Sequence, residues 1–241
     1  MNKKTILTFL LFFISMLSVT PVRAQLLMAL IFGDKLNNGN LTFGIALGGN
    51  WSTLGGYNDN KSLRSFAAGL HFAWKVNPKF YLQGEAMAST PGGADEMPKY
   101  SLGMPLDSIY AEGTLSRKIN YFGLTLAPRY HFYKSLFVEG GAIINMRSNK
   151  VYDTFEVENE DVTQTHKEQL KDGITRFDAG AMGGVGCVLK NGEGIKFGVR
   201  YYYGMVDIFK NDAGMNNNSC FSIFGAVPVG RNKAKAKAVL H

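Results

Sequence analysis

Residues Asn120–Met146 constrain this chain more than any other stretch. They read NYFGLTLAPRYHF, then YKS, then LFVEGGAIINM. In the first run Phe122, Leu124, Leu126, Pro128, Tyr130 and Phe132 fall on one face, with Tyr121, Gly123, Thr125, Ala127, Arg129 and His131 on the other. In the second, Leu136, Val138, Gly140, Ala142, Ile144 and Met146 lie opposite Phe137, Glu139, Gly141, Ile143 and Asn145. A period of two is the signature of a β-strand, because successive side chains point to opposite faces. One face is apolar; the other mixes glycine with charge. A soluble sandwich would bury that second face at high cost, since a buried ion needs a partner. An apolar outside and a polar inside suit a transmembrane β-barrel, whose strands cross the bilayer in about 9–11 tilted residues.

The N-terminus supports export. Met1–Lys4 is a basic n-region and Thr5–Val19 an apolar h-region, and Val22 and Ala24 precede Gln25 as a small-residue cleavage site. This pattern is a secretory signal peptide over residues 1–24. No cysteine stands at the cleavage site, so there is no lipoprotein signal. Nor does any later segment hold the about 18 consecutive apolar residues of a spanning helix. The formal charge of +7 is confined to the ends. Lys3, Lys4 and Arg23 belong to the signal, and Arg231, Lys233, Lys235 and Lys237 to the tail, so residues 25–230 are neutral. A neutral body gives no footprint for nucleic acid.

The rest of the chain divides by the same alternation into an antiparallel up-and-down barrel of eight strands. The expected strands are Asn40–Trp51, Leu63–Lys75, Lys79–Ser89, the two runs above, Thr175–Lys190, Ile195–Met205 and Ser219–Val227. Links between them alternate long and short, matching the long extracellular loops and short periplasmic turns of outer-membrane barrels. Thr90–Lys118 and Arg147–Ile174 are expected to be long excursions, the second acidic at Glu156, Glu158, Glu160 and Asp161. Trp74, Phe80, Phe132 and Tyr133 flank the short turns, where an interfacial girdle belongs. Pro128 cannot donate a ladder hydrogen bond, so a bulge is expected there. Cys187 and Cys220 fall near opposite ends of non-adjacent strands, too far apart for a disulfide. Residues 25–40 are expected to be an N-terminal periplasmic segment, 41–227 the barrel and 228–241 a basic C-terminal tail.

The mature chain resembles the PorT-like outer-membrane β-barrel family of Bacteroidetes-type bacteria. The resemblance rests on LIFGDKLNNGNLTFGIALGGNWSTL (Leu30–Leu54), and extends through PRYHF, FVEGGA and GVRYYYGM. It implies an outer-membrane barrel and, through the named member, a part in type IX protein secretion. It carries over no catalytic residues.

Strand parity directs His71, Glu85, Arg129, Glu139, Asp178, Lys196 and Arg200 into the lumen. Eight strands leave an interior just wide enough for side chains to fill, and opposite charges there should pair. Glu139 is placed to face Arg129. The cluster is read as a plug holding the barrel closed, or as a gate that opens by exchanging partners. His71 and His131 point inward and His166 sits among acidic residues, with no nucleophile elbow or metal-ligand spacing around any of them. The sequence therefore calls for no catalytic residues, no cofactor and no metal. It points to a monomeric, non-enzymatic component of the cell outer membrane that contacts lipid and periplasmic or secretion-machinery proteins. Its role would be protein secretion or envelope assembly; the alternative is a small porin-like channel.

Overall fold

The computed structural model describes residues 40–57, 60–133, 135–159, 162–170, 173–189, 194–210 and 214–229. The expected signal peptide, most of the expected 25–40 segment and most of the expected basic tail lie outside the described residues. Among the described residues there are nine strands: β1 (Leu41–Leu54), β2 (Lys61–Lys75), β3 (Phe80–Asp95), β4 (Thr114–His131), β5 (Leu136–Asn159), β6 (Val162–Gln169), β7 (Phe177–Val188), β8 (Lys196–Gly204) and β9 (Asn218–Pro228). A single helical turn, α1 (Leu106–Ile109), lies between β3 and β4.

Eight of the strands form a closed antiparallel ring in the order β4-β3-β2-β1-β9-β8-β7-β5, and β4 pairs with β5 to complete it. Closure leaves no strand edge along the ring, the condition for a sheet to stand in lipid. The ninth strand, β6, stands outside the ring and pairs with the far end of β5, from Tyr152↔Gln169 to Asn159↔Val162. Tight turns join β2 to β3 and β4 to β5. In the first, Asn77 Oδ1 accepts the backbone N–H groups of Lys79 at 2.9 Å and Phe80 at 2.8 Å, a local asparagine turn. By the short-turn rule this end faces the periplasm. Trp74, Phe80, Phe132 and Tyr133 are exposed around it.

The second expected excursion is largely strand, and the first is strand at both of its ends. β3 runs on to Asp95 and β4 begins at Thr114, while β5 continues to Asn159 and folds back as β6. The acidic residues of the second stretch resemble loop composition because they stand on the exposed face of a strand. Glu156 and Glu158 are the exposed members of an alternation whose other members, Val151, Asp153, Phe155 and Val157, are buried. Polarity inverts along the strands while parity is kept. On β4 the outward residues change from Thr114, Ser116, Lys118 and Asn120 to Phe122, Leu124, Leu126, Pro128 and Tyr130. The inward set changes the other way, from Leu115, Ile119 and Tyr121 to Thr125 and Arg129. The inversion marks where the wall leaves lipid for water. On β1 and β2, outward-parity Phe43, Leu70 and Phe72 are buried and pack together with Ile45.

Pro128 makes no bulge. It keeps register with Leu82 on β3, and the β4–β5 register is the same on either side of it, at Leu126↔Ala142 and Arg129↔Glu139. The ladder to β5 skips the proline without shifting, so every residue beyond it keeps its face. Register shifts occur instead higher up, between Ser62 and Ala68 on β2, Met87 and Thr90 on β3, and Ile119 and Tyr121 on β4. Cys187 and Cys220 are free thiols.

Candidate functional site

The lumen contains three storeys. The lowest, at the periplasmic end, is an ionic network. Its residues arrive from β2, β3, β4, β5 and β8 because each occupies an inward position of its strand. Glu85 on β3 accepts two hydrogen bonds from the Arg200 guanidinium of β8, at 2.6 and 2.9 Å. It also accepts Gln83 Nε2 at 3.0 Å and lies 3.3 Å from His71 Nδ1. Glu139 on β5 accepts Arg129 Nε at 2.9 Å and Nη2 at 2.7 Å. Arg200 Nε donates to its other oxygen, so one guanidinium bridges both carboxylates. Gln83 completes the circuit by accepting from Arg129. Lys196 Nζ lies 2.8 Å from His71 Nε2. Lysine can only donate, so this nitrogen is the acceptor and Nδ1–H faces Glu85. The cations also rest on rings: Arg129 lies 4.0 Å from the Phe137 centroid and Arg200 3.6 Å from that of Phe224. Arg129 is 1% exposed and the Glu139 side chain 0%, so water does not reach the middle of this network.

Six of the seven lumen residues anticipated from parity meet here. The seventh, Asp178, stands apart, one storey up. It accepts the Tyr202 hydroxyl at 2.9 Å, Asn145 Nδ2 at 3.3 Å and Asn218 Nδ2 at 3.4 Å. Parity fixes the face of a residue but not its height, and this separation is one of height. Gln83 was missed because it is neutral, although its position two residues from Glu85 on the same face was the available signal.

The middle storey is a cavity of about 70 Å³. Its floor includes Glu85 and Arg200, and its walls include Met87, Ile143, Met182 and Phe224. Thr90 Oγ1, Tyr121 Oη, Asn145 Oδ1 and Asn218 Oδ1 are buried at this level without a protein hydrogen-bond partner. The top storey is apolar. Leu54, Ala94, Met97, Leu115, Ile119, Val151, Phe155, Ile174, Ile208 and Phe209 form one buried cluster. It holds one ion pair, Arg117 to Asp153, doubly bonded at 2.7 Å for each nitrogen. Burial alone would lower the basicity of Arg117, but the Asp153 carboxylate outweighs it and holds the guanidinium more basic than usual. Among the described residues no three His, Cys, Asp or Glu side chains converge to hold a metal ion.

A profile for outer membrane protein beta-barrel domains matches residues 34–210, well over half of the chain. The chain belongs to this family. It is a protein of the cell outer membrane, and the barrel described above is its membrane-embedded body. No curated protein sequence matches it. Among solved structures it is similar to Ail, the attachment invasion locus protein of Yersinia pestis, at 12% identity and a TM-score of 0.41, over 79% of this chain and 99% of that one. Neisserial surface protein A aligns at 10% identity and a TM-score of 0.42, covering 78% and 96%. The outer membrane protein W of E. coli aligns at 15% identity and 0.33, covering 80% and 100%.

Proposed function

We propose that this barrel is a closed, non-enzymatic support protein of the outer membrane that serves protein secretion of the type IX kind or envelope assembly. The observation that carries this reading is the double closure of the lumen. An ionic network with Arg129 and Glu139 fully buried fills the periplasmic end, and an apolar core fills the other. A conduit for hydrated solutes needs an open polar path; the lower storey is polar but filled, and the upper is mainly apolar. The resemblance of Leu30–Leu54 to the PorT-like family supports secretion over other supporting roles. The ring's outer surface meets lipid, and the β5–β6 hairpin extends beyond it with exposed polar residues such as Thr163, Thr165 and Lys167, a surface suited to partner proteins.

Two measurements test the reading. Purified protein in planar bilayers should show no steady single-channel conductance; a stable open level would replace it with the porin reading. Deletion in the native host should remove many unrelated cargoes from the secreted and surface proteomes, with recovery on complementation. An unchanged secretome would sink the secretion role.

A further inference from the structure

Three neighbouring strands change from apolar to cationic at one level of the outer wall. On β4 the outward residues above Phe122 are Asn120 and Lys118. On β5 those above Met146 are Ser148 and Lys150. On β7 the first outward residue, Phe177, is exposed, and Arg176 stands directly above it. Lys118, Lys150 and Arg176 are all exposed. This end lies opposite the tight turns, so the boundary is that of the outer leaflet.

The wall bulges at the same place. Tyr121 pairs with Arg147 and Ile119 with Val151, so Ser148, Asn149 and Lys150 stand against Asn120 alone. The Ser148 hydroxyl oxygen accepts the Lys150 N–H at 3.1 Å, and Gln169 of β6 donates its side-chain amide to the Asn149 carbonyl at 2.7 Å. Bulges re-aim side chains, and this one sets Lys150 between the other two cations. Lys118 pairs with Tyr152 above it, and the Arg147 N–H donates to the Arg176 carbonyl at 2.8 Å below it. Adjacent strands lie about 4.8 Å apart, so three strands spread the cations over roughly 10 Å of wall. The Arg176 guanidinium lies 6.0 Å from the ring centroid of Phe177, and so leans over the lipid-facing surface.

These charges have no counter-ion in the protein. Neither Lys118, Lys150 nor Arg176 forms an ion pair among the described residues. Nearby carboxylates are engaged elsewhere. Asp153 holds Arg117 in the lumen, Glu168 accepts the Tyr100 hydroxyl at 3.0 Å, and Asp207 accepts the backbone N–H groups of Phe209 and Asn216. Glu156 stands farther up β5, opposite Thr114. Arg147, half-buried at the foot of the bulge, adds a further positive charge, and its Nε and Nη1 have no protein partner. Basic side chains at a membrane surface attract anionic headgroups, and phosphate oxygens accept readily from guanidinium and ammonium groups. Cations spread over three strands suit a headgroup with two separated phosphates better than one with a single phosphate. The apolar residues directly below them suit a ligand whose acyl chains hang beneath its phosphates.

We propose that Lys118, Lys150 and Arg176 form a docking site for a bisphosphorylated glycolipid of the outer leaflet. Its phosphates lie among the three cations, and its acyl chains run down the wall past Phe122, Met146 and Phe177.

The test titrates full-length protein in detergent micelles with bisphosphorylated lipid A and reads bound lipid by native mass spectrometry. The wild type should bind it at least tenfold more tightly than the dephosphorylated form or phosphatidylglycerol. Combining Lys118→Gln, Lys150→Gln and Arg176→Gln should cost at least tenfold in affinity. Lys75→Gln with Lys79→Gln, at the periplasmic end, should cost less than twofold. Heat-modifiable migration in gels checks folding; if the triple variant does not fold, the single variants replace it, each expected to cost about threefold. Equal binding of the dephosphorylated lipid overturns phosphate recognition. Equal binding of phosphatidylglycerol overturns the preference for two phosphates, and displacement by millimolar inorganic phosphate overturns the lipid as the source of the anion. Unchanged binding by the folded variants, or an equal loss in the periplasmic pair, overturns the site.

Discussion

The two ends of the lumen are filled by opposite means. Near the periplasm two carboxylates, two guanidiniums, a lysine, a histidine and a glutamine are knitted together. Near the cell exterior the same inward positions carry Leu115, Ile119, Val151 and Phe155. What surrounds the wall explains the contrast. Within the membrane the outward face must be apolar, so burial of hydrocarbon inside would leave the strand no polar face and no preferred register. Charges inside give it one, at a desolvation cost that only complete pairing offsets. Above the membrane the wall stands in water, and the ordinary arrangement of a soluble β-protein returns. One strand, β5, passes through both regimes without changing parity.

The largest test of this contrast is the removal of a charge from the lower storey. Glu139→Ala leaves Arg129 and part of Arg200 without a counter-ion. It should destabilise the barrel by about 3–5 kcal/mol, as breaking a buried pair does, seen as an earlier loss of the heat-resistant gel form. A smaller effect separates two outward positions of β4. Leu126→Lys should cost about 2–4 kcal/mol because it puts a charge in the lipid-facing band. Thr114→Lys, twelve residues up the same face, should stay within about 0.5 kcal/mol as a surface change. Equal costs would mean that the polarity change on β4 does not mark the membrane surface. The smallest effect concerns the α1 turn. Asp107 accepts Ser101 Oγ at 2.5 Å and the Leu102 N–H at 2.6 Å, and these bonds, the serine's first, hold its carboxyl below its usual range. A depressed folded-state value gives stability that is present above the unfolded value and fades as pH falls through the folded one. The turn should therefore become more sensitive to protease under acid, and Asp107→Asn should make it so at neutral pH. A protease profile flat down to acid pH would count against that.

The wall was legible where composition and alternation agreed. Phe122 to Tyr130 and Leu136 to Met146 are apolar at every second residue, and nothing else gives that pattern at such length. Past Met146 the alternation continues, but its outward members become Tyr152, Thr154, Glu156 and Glu158, and a polar outer face resembles a loop in composition. The same effect conceals Thr114–Lys118, the first residues of β4. β6 was invisible for a different reason: its residues are mostly exposed, so its pairing to β5 leaves little hydrophobic trace. In the lumen, charge and parity mark the ionic residues of the lower storey but not the Arg117–Asp153 pair of the upper one, which lies in stretches that read as loop. They could not separate Asp178, which sits at another height, nor find Asn145, Asn218 and Tyr121, whose neutral groups draw attention only once the cavity they surround is seen.

The strands that seal this ring, β1 and β9, come from opposite ends of the described chain, pairing Gly44 with Pro228 and Leu54 with Asn218. Neighbouring hairpins such as β4–β5 bring together residues close in sequence and can form early. The final seam has to join distant segments, the slowest kind of contact to make. Until β9 arrives, the nascent sheet offers two open edges that lipid cannot satisfy. Assembly is thus all-or-none at its last step, and a half-built barrel is a substrate for whatever machinery guards unclosed sheets.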